Sequence, residues 1–192
     1  MSDRKDKQVV RRGGSLAAVV ACVIGVVVPL ALPVAAARAA AADTPGQFQV
    51  TAGGLAITVP TSTVNFGSVA SGASSVSGQL GTVTVTDTRG LLVATWTATV
   101  STTTFTTGGA TANETVAKAA ISYASGVATA TTGVGVFTPV LVPVSLATPQ
   151  TAATWTVGVA NNSATWNPTL TFALLTTQVA GTYSGTITHS VT

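Results

Sequence analysis

Cysteine is nearly absent. Cys22 stands alone among 192 residues, so no disulfide can close within the chain. Charge is almost as scarce: Asp, Glu, Lys and Arg together supply 7% of the residues. Six of the eight cations, Arg4, Lys5, Lys7, Arg11, Arg12 and Arg38, fall within the first 42 positions. Beyond Ala42 only Arg89 and Lys118 stand against Asp43, Asp87 and Glu114, a net of −1. The overall charge of +3 therefore belongs to the N-terminal segment, and the remainder offers nucleic acid no basic surface.

Chemistry-bearing side chains are correspondingly few. Histidine occurs once, at His189, whereas a zinc centre needs three or four N, S or carboxylate ligands. No G-x-S-x-G elbow and no glycine-rich phosphate loop leading into a helix is present. Asp87 lies in the turn-like string Asp87-Thr88-Arg89-Gly90. There its carboxylate is expected to accept backbone hydrogen bonds and to pair with Arg89, so Asp87, Arg89 and Gly90 read as a structural turn. Glu114 is expected to form a solvated pair with Lys118. Acid–base catalysis needs a positioned proton carrier. The expectation is a protein that is not an enzyme, with no catalytic residue, no cofactor and no metal.

Residues 1–42 read as a helical signal peptide. A positive stretch ends at Arg12, an apolar run begins near Leu16, and Pro29 and Pro33 precede a small-residue tract at 35–42. Ala40-Ala41-Ala42 before Asp43 is the expected cleavage site. The competing reading is a retained anchor, because 15–37 carries no charge and is long enough to span a bilayer. Residues 43–46 read as a tether and 47–192 as one β-rich domain. A chain of this size buries roughly 68–70% of its unfolded surface, enough for one core without a covalent staple.

Threonine is what the chain has in abundance, 36 of the 150 residues after Ala42. It is β-branched and suits a pleated surface. In 82–87, Val83 and Val85 oppose Thr82, Thr84 and Thr86. In 95–101, Trp96, Ala98 and Val100 oppose Thr95, Thr97, Thr99 and Ser101. In 182–191, Tyr183, Ile187, His189 and Val191 share the face opposite Thr186, Thr188 and Ser190. Period two with a hydroxyl face and an apolar face predicts half-buried antiparallel strands. Further strands are expected at 47–51, 55–59, 119–123, 127–131, 140–146, 155–160 and 169–174. Ser71-Gly72, Gly133, Asn161-Asn162 and Asn167-Pro168 read as breaks, and 68–78 as a loop. The predicted fold is all-β, an antiparallel β-sandwich or irregular barrel of roughly 8–11 short strands.

Trp166, next to the turn signal Asn167-Pro168, is expected to be partly exposed, where an indole face can stack on a sugar ring. Trp96, Trp166 and His189 are the candidate ligand-binding residues.

The string from Gly78 to Gly90, Gly-Gln-Leu-Gly-Thr-Val-Thr-Val-Thr-Asp-Thr-Arg-Gly, followed by Trp96-Thr97-Ala98-Thr99-Val100, resembles the first half of a WxL-type cell-surface domain. The closing cadence Tyr183-Ser184-Gly185-Thr186-Ile187-Thr188-His189-Ser190-Val191 is similar to that family's C-terminal strand. Ala98 and Val191 stand where the family places Leu, and His189 where it places Trp. The resemblance spans 47–192. It implies a secreted β-rich domain held non-covalently to the Gram-positive cell wall, through peptidoglycan or a companion surface protein. No membrane contact is expected after signal cleavage. The alternative is a self-assembling surface subunit or adhesin, because neutral threonine-rich strands have little charge to prevent oligomers forming through sheet edges.

Overall fold

The structure, a computed structural model, describes residues 45–192. The leader expected over 1–42 lies outside the described residues. Residues 48–192 form a compact unit of their own, and this unit is all-β and antiparallel. Its strands are β1 (Leu55–Thr58), β2 (Ser75–Gln79), β3 (Val83–Asp87), β4 (Trp96–Thr102), β5 (Phe105–Thr106), β6 (Thr115–Val116), β7 (Ile121–Ala124), β8 (Ala128–Pro139), β9 (Val144–Ser145), β10 (Gln150–Trp166), β11 (Thr169–Ala173) and β12 (Ile187–Val191). Lys118–Ala120 forms a single 3-10 turn.

Threonine alternation builds β3 and β4 as expected. In β4 every second side chain from Trp96 to Thr102 is buried, and in β3 Val83, Val85 and Asp87 face inward. The outward hydroxyls bond to each other across strands, Thr84 to Thr165 at 3.0 Å, Thr99 to Ser190 at 2.7 Å and Thr132 to Ser163 at 2.7 Å. A polar surface is thus satisfied without charge.

The larger sheet has the order β1-β3-β10-β4-β12, with β8 along the other side of β10. The 17-residue β10 is its spine. Its C-terminal half pairs with β3 and its N-terminal half with β4, so β3 and β4 lie end to end along one partner. The second sheet, β2-β11-β7-β9, lies against it. One core joins the two, drawing Trp96, Trp155 and Trp166 from the larger sheet and Ile121, Tyr123, Leu170 and Phe172 from the smaller.

Several expectations are corrected. Asn161-Asn162 does not end a strand, because β10 runs through it and Asn162 is held inside by a tertiary hydrogen bond. Gly133 does not end one either, since β8 accommodates its positive φ within a bulged ladder. Within the predicted loop 68–78, residues from Ser75 onward pair with β11. Of 140–146 only Val144–Ser145 is strand. Residues 47–51 are irregular, with Phe48 93% exposed.

Candidate functional site

The turn foreseen at Asp87 forms as the residue types dictate. Asp87 Oδ1 accepts from the Arg89 backbone N–H at 3.0 Å and from Arg89 Nε at 2.9 Å, while Arg89 Nη2 donates to Asp87 Oδ2 at 2.8 Å. Nη2 also donates to the Thr95 carbonyl at 2.8 Å, and Gly90 takes φ +65°. This guanidinium fork pulls the carboxyl of the solvent-shielded Asp87 below its usual range, with burial opposing it. The Asn162 amide nitrogen faces the carboxylate and assists, yet makes no hydrogen bond of acceptable geometry.

Glu114 does not pair with Lys118. Its carboxylate instead accepts from Thr111, from the backbone N–H at 3.0 Å and from Oγ1 at 2.8 Å, closing a capping box and lowering its pKa.

The three candidate ligand residues belong to the interior. Trp166 is not partly exposed; its side chain is fully buried, and its Nε1 donates to the Tyr123 hydroxyl at 3.1 Å. The Asn167-Pro168 turn lies between β10 and β11, and the ring before it swings inward to pack at a tilt against Phe137, centroids 5.5 Å apart. Trp96 is buried too, with its Nε1 donating to Asn162 Oδ1 at 2.8 Å. His189 is half-buried, Nε2 3.1 Å from the Tyr123 hydroxyl. Its burial lowers its pKa from 6.5 to about 4, which keeps the imidazole neutral at pH 7. The assignment that satisfies all three groups has Trp166 donating to Tyr123 and Tyr123 donating to His189 Nε2. Burial raises the Tyr123 pKa, so this hydroxyl keeps its proton. The arrangement bridges the two sheets, β10 and β12 on one side and β7 on the other.

A reachable site exists elsewhere. The irregular segments 60–73 and 174–186 flank a groove of about 880 Å³, within the size range of small-ligand sites. Its floor is apolar and aromatic: Phe172 packs against Phe66 at 5.1 Å and against Phe105 at 4.9 Å between centroids, beside Val76 and Val116. Its rim is hydroxyl and amide, with Thr63, Asn65, Ser184 and Thr186 among the lining residues and no charged residue. The far wall is fixed in place. Val179 N–H donates to the Asn113 carbonyl at 3.0 Å, Gln178 Nε2 to the Thr115 carbonyl at 2.9 Å, and Tyr183 Oη lies 2.9 Å from the Val179 carbonyl. The sequence gives no sign of this groove, because neither wall alternates and its aromatics come from three distant segments. Chemically it suits a neutral ligand with an apolar face and hydroxyls at its edges.

Among the described residues no group of three His, Cys, Asp or Glu is placed to hold a metal ion. No protein-family model matches the chain, and neither a curated protein nor a solved structure does.

Proposed function

We propose that this chain is a secreted, non-enzymatic cell-envelope protein that holds non-covalently to a neutral polymer of the Gram-positive wall. The observation that carries this reading is the uncharged groove, with aromatic floor and hydroxyl rim. A glycan presents the same two characters, C–H faces that favour aromatic floors and hydroxyls that exchange hydrogen bonds with the rim. The leader-like first 42 residues and the WxL-type cadence support an envelope location. The groove replaces Trp96, Trp166 and His189 as the contact surface, since those side chains brace the interior.

The test is co-sedimentation of residues 43–192 with purified wall sacculi. The core lies within 48–192, so this fragment retains its packing. Val69→Arg and Val179→Arg place a charge on the groove wall at half-exposed positions. Both variants are expected to leave the melting temperature near wild type and to lose pelleting. Wild-type protein that stays in the supernatant with a non-binding control removes the proposal.

A further inference from the structure

β8 is a 12-residue strand that pairs with β10 along one side and with no strand along the other, among the described residues. Edge strands are normally guarded by charge, proline or cover. Here the guard is thin. No Asp, Glu, Lys or Arg occurs between Ala119 and Thr192, and the proline comes at the end of the strand, Pro139. The bulges at Gly133 and Gly135 shorten the regular ladder without closing it.

The surroundings are apolar and strained. Val134 and Val136 on β8 are exposed, as are Val157 and Val159 on the facing part of β10. Leu91 joins them, its carbonyl accepting from the Ala160 N–H. Val157 holds φ +54° and Ala160 φ +57°, a conformation that costs an L-residue roughly 1–2 kcal/mol. A β-branched residue kept there, with its side chain 76% exposed, is not explained by packing inside the chain.

A hollow of about 500 Å³ opens beside β8, and Trp155 lines it. The Trp155 side chain is 98% buried (2% exposed), and its indole N–H has no hydrogen-bond partner. Gly135 and Gly158 flank that nitrogen, and a side chain at Gly135 would collide with it. A buried donor left unpaired by the protein's own atoms is uncommon.

We infer that the β8 edge is an interface for a second copy of this chain, joined by antiparallel β8–β8 pairing about a two-fold axis. Such pairing is self-complementary: each strand gives and receives the same backbone bonds, and the valines of one copy cover those of the other. Because neither copy carries charge on this face, nothing repels the approach. The wall-binding groove shares no lining residue with the hollow, so the two proposals stand or fall separately.

The test is sedimentation velocity of residues 43–192 over a wide concentration range, with circular dichroism to establish folding. The expected result is a reversible monomer–dimer equilibrium, with β8 amides exchanging more slowly as the dimer fills. Val136→Lys is expected to weaken dimerisation by at least about tenfold, and Thr131→Lys, at a second exposed edge position, serves if the first variant melts early. Val69→Lys, on the groove wall, leaves dimerisation unchanged. A strict monomer at every concentration overturns the inference, as does a dimer indifferent to both edge lysines. A monomer that binds neutral phosphatidylcholine vesicles through this face would assign it to lipid and overturn it equally.

Discussion

The seam between the two sheets and the rim around β8 are built from the same few residue types and reach opposite ends. In the seam, Trp96 and Trp166 each find an acceptor for the indole N–H, Asn162 Oδ1 and the Tyr123 hydroxyl. At the rim, Trp155 is just as deeply buried, stacks on Trp96 with centroids 6.1 Å apart, and finds none. Valines in β3 are fully covered; those on β8 face water. A chain with almost no charge has only two ways to specify a surface. It can satisfy its polar atoms across strands, as β3 and β4 do, or leave apolar side chains in water, as β8 does.

The contrast is sharpest where removing a group leaves a partner stranded. Asp87→Ala removes the two side-chain bonds from Arg89 to the carboxylate, leaves the one to the Thr95 carbonyl, and frees the Arg89 backbone N–H. We expect a loss of about 2–3 kcal/mol by chemical denaturation, below the roughly 3–5 kcal/mol typical of a fully buried pair, because the Arg89 side chain is 28% exposed. A change within about 0.5 kcal/mol would mean the turn does not brace the end of β3 against the start of β4. Next comes a matched pair of substitutions. Trp96→Phe orphans Asn162 Oδ1 and is expected to cost about 1–3 kcal/mol beyond its lost area. Trp155→Phe removes a donor that had no partner, so its cost is the lost ring area alone. Equal losses from the two would dissolve the distinction between seam and rim.

His189 makes the seam sensitive to acid. Its folded pKa, about 4, lies below the unfolded value of 6.5. The unfolded chain therefore binds the proton first, and stability is complete above about pH 6.5 and falls as pH drops toward 4. The slope cannot exceed about 1.4 kcal/mol per pH unit and is reduced by the half-exposed ring. His189→Gln should flatten the melting temperature across that window; an unchanged slope would move the acid sensitivity elsewhere. The smallest effect belongs to the rim. Val157→Asn suits the left-handed backbone and is expected to stabilise the monomer by about 1 kcal/mol. A loss of stability there would show that Val157 packs usefully within its own chain.

Strand positions were legible where one face is buried and the other wet. β3 and β4 announce themselves through Thr-Val and Thr-Ala alternation because their outward hydroxyls bond across the strands. The Asp87–Arg89 turn was legible for the same local reason, since the partners are two residues apart. The continuity of β10 was not. Asn161-Asn162 carries a turn signal, and a bond from Trp96, sixty-six residues away in sequence, overrides it. β2, with the sequence Ser-Val-Ser-Gly-Gln, lacks apolar alternation and is held by its pairing with β11. Trp166 misled because a neighbouring turn suggests the surface, whereas Asn167 ties that turn down, its Oδ1 accepting from Gly81 N–H and its Nδ2 donating to Gln79. The groove and the β8 rim depend on chain segments that meet only in three dimensions, so local pattern says nothing of them.

The cross-strand hydroxyl pairs, Thr84 with Thr165, Thr99 with Ser190 and Thr132 with Ser163, carry a further implication. A skin made of mutually bonded alcohols has nothing for dissolved ions to shield, so brine should neither loosen this fold nor weaken the proposed dimer. Sulfate, by favouring burial, should strengthen the proposed dimer.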